Sequence, residues 1–212
     1  MISKAIRLAL LAAPVLFAGC DTLVDPNGTI AQLQQVTGNE RENPEFLRAA
    51  QAGGALLQIG LVERDLQTAV VLETRRDGID TWRSVDGAAL ITENGMLRGT
   101  RGLAQVWLSS DVSQPLKMVT RLLDGQVERF HSYLDGEDQV VTRSYVCDID
   151  TRGPRDVNLG VRVAQTVLMR ETCYGLDDEF FNLYWVENGR IIQSRQWGGA
   201  EVGAISTRIV EG

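Results

Sequence analysis

The residues that could do chemistry in this chain are few. It holds one histidine, His131, and three cysteines, Cys20, Cys147 and Cys173. A Ser-His-Asp or Cys-His arrangement could be built only on His131. A zinc site would lack its second pair of cysteines, so no metal is expected. The G-x-S-x-G elbow, the P-loop, H-E-x-x-H and the dinucleotide fingerprint do not occur, so no cofactor is expected either. In "VERFHSYL" the alternation sets His131 on the face of Arg129 and Tyr133, opposite Phe130 and Leu134. That pattern predicts a solvated strand histidine, not a catalytic one.

Acids and aromatic rings supply the remaining candidates. "GLDDEFF" places Asp177, Asp178 and Glu179 in a row. Glycan cleavage needs two carboxylates across a bond, whereas adjacent acids after a glycine and before an aromatic strand predict a charged turn. The same loop lacks the spaced carboxylates of a calcium motif. In "FFNLYWV", Trp185 alternates with Phe181 and Leu183, which predicts a core face. Trp82 in "DTWRS" and Trp197 in "SRQWGG" lie among polar residues. With Arg83, Arg195 and Gln196 they are the candidate contacts for a glycan or a partner, and packing at strand ends is the competing reading.

The elements that must position these residues are strands. From Ala55 onward Asp-Gly or Asn-Gly recurs at 77–78, 86–87, 94–95, 124–125, 135–136 and 188–189, and such dipeptides between apolar or alternating runs mark tight hairpins. The flanking runs include "ALLQIGL", "TAVVLET", "IDTWRS", "GMLRGT", "QVVTRSYVC", "AQTVLMRETCY", "IIQSRQW" and "VGAISTRIV". The prediction is an all-β fold, an antiparallel β-sandwich or barrel-like sheet of about ten strands with one or two short helices. One helix falls in "SQPLKMVTRLLDG", where Leu116, Val119, Leu122 and Leu123 have helical spacing, Ser113 could cap and Pro115 sits early. A second, shorter one is expected in "NPEFLRAAQAGG", with Asn43 as cap, Pro44 in the first turn and Gly53 at the end. No internal repeat or second domain is apparent.

The amino terminus explains the first cysteine. Lys4 and Arg7 precede an apolar run from Leu8 to Phe17, then Ala18, Gly19 and Cys20. A basic start, a short apolar stretch and small residues make a secretory signal, too short to span a membrane as a helix. "LFAGC" resembles the lipobox of bacterial lipoproteins, with Phe17 where Leu, Val or Ile is usual. In those proteins the cysteine is acylated and the chain is cut before it, and such an anchor is effectively permanent. The expected organisation is a signal peptide over 1–19, a lipidated end and tether over 20–53, and a single all-β domain over 54–212. Losing Lys4 and Arg7 takes the formal charge from −7 to −9, which argues against nucleic acid as a partner. In an oxidising compartment the two remaining cysteines, Cys147 and Cys173, are predicted to form a disulfide.

Three stretches carry a family likeness. "TWRSVDG" (81–87), "NGMLRGTRGL" (94–103) and "YWVENGRIIQSRQWGGAEVGAI" (184–205) resemble the YjbF family of lipoproteins, also described as group 4 capsule polysaccharide lipoproteins. After "TRGL" this chain reads Ala104, Gln105, Val106 and Trp107 where the family tends to have a glycine and an acidic-Leu pair. The resemblance implies a non-enzymatic, membrane-anchored accessory factor for making or exporting capsule or exopolysaccharide. It further implies partners among the export components, including an outer-membrane β-barrel protein, with the polysaccharide itself as a candidate ligand. A carbohydrate-binding module and a polysaccharide-modifying enzyme are the competing functions. The resemblance points to the outer membrane, while Asp21 after the cysteine resembles the inner-membrane retention signal of enteric bacteria.

Overall fold

A computed structural model describes residues 52–104, 107–137 and 139–211. The signal peptide, Cys20, nearly all of the tether and the helix expected within 43–53 lie outside the described residues, apart from the last residues of the tether.

Twelve antiparallel strands form one sheet. They are β1 (Leu56–Leu61), β2 (Leu66–Arg76), β3 (Ile79–Arg83), β4 (Ala89–Glu93), β5 (Met96–Arg101), β6 (Trp107–Asp111), β7 (Gly125–Leu134), β8 (Val140–Asn158), β9 (Val163–Tyr174), β10 (Glu179–Glu187), β11 (Arg190–Trp197) and β12 (Ala204–Ile209). Each strand pairs with its successor in sequence except β5 with β6, and β12 pairs with β1, so the ladder runs from β5 back through β1 and β12 to β6. This is an up-and-down meander curled into a nearly closed barrel. The two end strands meet by packing: a Cβ added at Gly99 of β5 would lie 2.9 Å from the Trp107 carbonyl of β6. Two of the twelve strands were not among the expected runs. β4 is five residues directly after a turn, and β6, "WLSSD", is half polar, so neither shows a clear period.

Three of the six Asp-Gly or Asn-Gly pairs beyond Ala55 make two-residue hairpins with positive φ at both positions, the geometry that matches strand twist. These are Asp77-Gly78, Asn94-Gly95 and Asn188-Gly189, and they place the β2–β3, β4–β5 and β10–β11 turns at one end of the barrel. The helix α1 (Ser113–Thr120) lies between β6 and β7 as expected. Its start is fixed by Asp111, whose Oδ1 accepts from Ser113 N–H at 3.0 Å and Ser113 Oγ–H at 2.7 Å, so Ser113 is not the cap. Pro115 and Val119 are buried, and Leu116 and Met118 pack on the core. Leu122 turns the chain out at φ +56° and is exposed with Leu123.

Cys147 and Cys173 sit directly opposite on β8 and β9 and are disulfide-bonded, 26 residues apart. Closing a loop of that length contributes about 3.5 kcal/mol in the chain-entropy treatment. Beyond the bridge the β8–β9 hairpin continues as an arm. Val157, Leu159 and Ala164 of the arm pack with Ile192, Trp185 and Ile209, and Arg162 binds Glu187 and Glu211 at 2.7–2.8 Å.

Two expected faces are inverted. On β7 the buried residues are Val127, Arg129, His131 and Tyr133, while Phe130 is exposed. On β10 they are Phe180, Asn182, Tyr184 and Val186, while Phe181 is exposed and Trp185 half-buried. Alternation identified the sets correctly; the polar set lies inward because its members satisfy one another.

Candidate functional site

The middle of the barrel is a polar layer closed to solvent. Arg129 and Glu171 form an ion pair at 2.8 Å, their side chains 1% and 0% exposed. Arg129 Nη1 donates to both Glu171 oxygens, and Nε donates to His131 Nε2 at 2.8 Å. Asn182 Nδ2 and the Tyr184 hydroxyl donate to Glu171 Oε2 at 2.7 and 2.6 Å. With its Nε2 accepting, His131 carries its proton on Nδ1, 2.9 Å from the Tyr133 hydroxyl. Burial, and then the Arg129 charge, push the His131 pKa well below that of a free imidazole, so it stays neutral. Burial drives Tyr133 and Tyr184 up, with the Glu171 charge adding to the effect on Tyr184. The Trp107 ring lies 4.6 Å from His131, and Trp197 stacks on Phe180 at 4.4 Å. Each of these groups has a partner inside the wall, and the layer works as a fastening.

Cys147, Cys173 and Glu171 bring possible metal ligands together in this layer. The disulfide occupies both sulfurs, and Asn182, Tyr184 and Arg129 occupy the carboxylate. The donor set therefore does not fit a metal.

At the end marked by the three Asn-Gly or Asp-Gly turns the barrel opens into a cavity of about 570 Å³. Leu57, Trp82, Ile191, Ile192 and Ile209 give it apolar wall. A row across three strands gives it polar wall: Arg75 of β2 opposes Asp80 of β3, which opposes Thr92 of β4. Arg75 Nε and Nη2 donate to the two Asp80 oxygens at 2.6 and 2.8 Å, and this bond holds the guanidinium above its ordinary pKa. Thr92 Oγ1 accepts from Trp82 Nε1 at 3.0 Å. Asn94 Nδ2 donates to the Gly189 carbonyl at 3.0 Å, tying two of the turns together at the rim.

The five candidate contacts read from the sequence do not form one surface. Trp82 is 6% exposed and turned inward, contributing to the cavity wall. Arg83 is outside, bound to Glu73 at 2.7 Å and to the Gly87 carbonyl at 2.9 Å. Gln196 is 1% exposed; its Oε1 accepts from Leu97 N–H at 2.7 Å and its Nε2 donates to the Gly95 carbonyl at 2.8 Å. Arg195 lies over the exposed Phe181 ring, 4.8 Å from its centre, with Arg170 at 4.9 Å from the same centre. Trp197 is half-buried against Phe180. Asp177 and Asp178 of "GLDDEFF" lie in the β9–β10 turn and Glu179 opens β10; Asp178 accepts from the Tyr145 hydroxyl at 3.1 Å and from Arg143 at 3.2 Å. Arg75, Asp80 and Thr92 carried no sequence motif of their own, and Asn94 was marked only as a turn residue of the 94–95 pair, although "IDTWR" set Asp80 and Trp82 on one face.

Fold and site together define a disulfide-linked up-and-down barrel with a sealed polar centre and one open mouth. No helix among the described residues is long and apolar enough to cross a membrane. The sequence profile of the group 4 capsule polysaccharide lipoproteins (GfcB, YjbF) matches residues 50–210, and the chain belongs to that family. Membership of a lipoprotein family assigns it to the cell envelope. The fold is similar to that of the hypothetical lipoprotein YmcC from Escherichia coli K12, with a TM-score of 0.68 and 20% identity over 82% of this chain and 98% of that one. No curated protein sequence matches the chain.

Proposed function

We propose that this protein is a non-enzymatic accessory factor in the assembly and export of a capsule or exopolysaccharide. The family match over residues 50–210 carries the reading. The interior agrees with it: the one histidine is neutral and sealed, and the buried carboxylate of Glu171 is committed to Arg129, Asn182 and Tyr184. In this reading the signal peptide over 1–19 is removed and acyl chains on Cys20 hold the protein at the membrane. Residues 20–53 act as a tether, and the all-β domain over 54–212 faces the periplasm, with the outer membrane the favoured site. Its partners are export components, among them an outer-membrane β-barrel protein.

The test is deletion of the gene followed by measurement of secreted polymer. Wild-type protein should restore secretion, whereas Cys20→Ala should carry no fatty acid by intact mass and should not restore it. Unchanged secretion in the deletion strain would overturn the reading, and sucrose-gradient fractionation of the membranes would decide between outer and inner sites.

A further inference from the structure

We propose that the cavity at the barrel mouth binds one or two sugar units, uncharged overall, through hydroxyl-directed hydrogen bonds against an apolar wall. The reading above supplies only the source of the sugar. Recognition itself rests on the cavity.

Size comes first. At about 570 Å³ the cavity falls within the range of roughly 300–1,000 Å³ usual for small-molecule sites. It is also preformed. The turns at its rim have fixed positive-φ hairpin geometry, and the Asn94–Gly189 bond joins two of them, so little ordering is needed on binding.

The wall chemistry selects the class. Asp80, Thr92 and Thr207 are all under 9% exposed yet contribute to the lining. Each retains hydrogen-bonding capacity that its existing contacts leave unfilled. Arg75 uses Nε and Nη2 on Asp80, so Nη1 remains a donor. Both Asp80 oxygens keep a second lone pair, and Thr92 keeps its hydroxyl proton because it accepts from Trp82. Asn94 keeps its amide oxygen as an acceptor. A fatty acyl chain would cover these groups without offering partners, which penalises it. Vicinal hydroxyls offer donor and acceptor together, and the C–H face of a pyranose suits Leu57, Trp82 and Ile191.

Charge narrows the class further. The ionised groups in the lining are Arg75 and Arg190 against Asp80 and Glu211, a balance that gives no attraction for an acidic sugar over an uncharged one.

The experiment uses the full mature chain with Cys20→Ser, titrated by calorimetry with three probes. The first is a set of short neutral oligosaccharides from partial hydrolysis of the host's own polymer, the second their uronate-containing counterparts, and the third palmitate. Neutral oligosaccharides should bind. Arg75→Gln and Asn94→Gly, both at the rim, the second keeping the positive φ, should weaken binding about tenfold each at a temperature where circular dichroism shows both variants folded. Thr92→Val tests the inner wall, and the rim variants stand in its place if it fails to fold. The proposal is overturned by absence of oligosaccharide binding at about 1 mM, by rim variants that bind as wild type, or by palmitate or uronates binding in preference. Export lost on gene deletion without oligosaccharide binding would refute the cavity and leave the accessory role intact; binding without an export phenotype would do the reverse.

Discussion

Replacing Glu171 by Gln removes one charge from the closed interior and changes side-chain volume little. The wild-type carboxylate accepts from Arg129, Asn182 and Tyr184, all with their donors inside the barrel. An amide has one acceptor oxygen, and its NH₂ would face the Arg129 guanidinium, which is itself a donor. Arg129 is fully buried; burial lowers its pKa, and the Glu171 charge together with the contacts to Tyr184 and Glu171 more than offsets that, so the cation persists. Left without its counter-charge, a buried cation costs about 3–5 kcal/mol. For a chain of this size that is about 6–20 °C in Tm. The assay is urea unfolding of the disulfide-intact chain followed by tryptophan fluorescence, which reports on the layer because Trp107 and Trp197 lie 4.6 and 6.1 Å from His131. The double variant Arg129→Met with Glu171→Gln removes both charges and should recover about 2 kcal/mol relative to Glu171→Gln alone. A loss under about 0.5 kcal/mol for the single variant, or a double variant equal to the sum of the two singles, would refute the reasoning.

The same layer predicts a pH dependence. His131 is neutral in the fold with its pKa held well below the usual value, whereas in the unfolded chain it takes a proton near pH 6.5. The unfolded state therefore binds more protons at lower pH, and stability should fall by up to about 1.4 kcal/mol per unit between about pH 6.5 and pH 5. His131→Gln should flatten that slope in chemical denaturation, and an unchanged slope would count against the assignment. At the β5–β6 seam, Gly99→Ala would place a Cβ 2.9 and 3.1 Å from the carbonyls of Trp107 and Leu108. The expected cost is about 1–3 kcal/mol, with faster amide exchange in β5 and β6 but not in β8 and β9. Gly136→Ala, whose Cβ would meet nothing within 4 Å, is the control and should stay within about 0.5 kcal/mol of wild type.

What could be read in the sequence follows from which interactions are local. Asn-Gly and Asp-Gly pairs encode φ at two adjacent residues, so the hairpins at 77–78, 94–95 and 188–189 were legible. The disulfide was legible because only two cysteines remained to pair. The inward direction of β7 and β10 was not. Arg129 goes inside because Glu171 awaits it 42 residues later, with Asn182 and Tyr184 completing the set, and no window along one strand contains that information. The cavity was hidden for the same reason: Arg75, Asp80 and Thr92 form a row only once three strands are in register. Trp82 and Gln196 looked like surface residues among polar neighbours, yet only the adjacent Thr81, Arg83 and Arg195 belong to the opposite face, while Asp80 and Ser194 share the inner one.

Sealing polar groups at the centre of a barrel carries a desolvation cost that apolar packing would avoid, and the seam gives it a purpose. β5 and β6 end the ladder, and an extra residue, Arg98, enters β5 at its bulge against β4. Beside that bulge Leu97 finds side-chain partners: its N–H donates to Gln196 of β11 at 2.7 Å, and its carbonyl accepts from Arg129 of β7 at 3.4 Å. The Gly95 carbonyl is likewise held by Gln196 at 2.8 Å. Side chains from opposite walls thus satisfy backbone groups of an end strand and tie it to the far side of the interior. That fastening also fixes Asn94 and Gly95, which form the rim of the cavity one turn away. The sealed layer and the open mouth are in this sense one construction: the buried ion pair anchors the strand whose hairpin shapes the site.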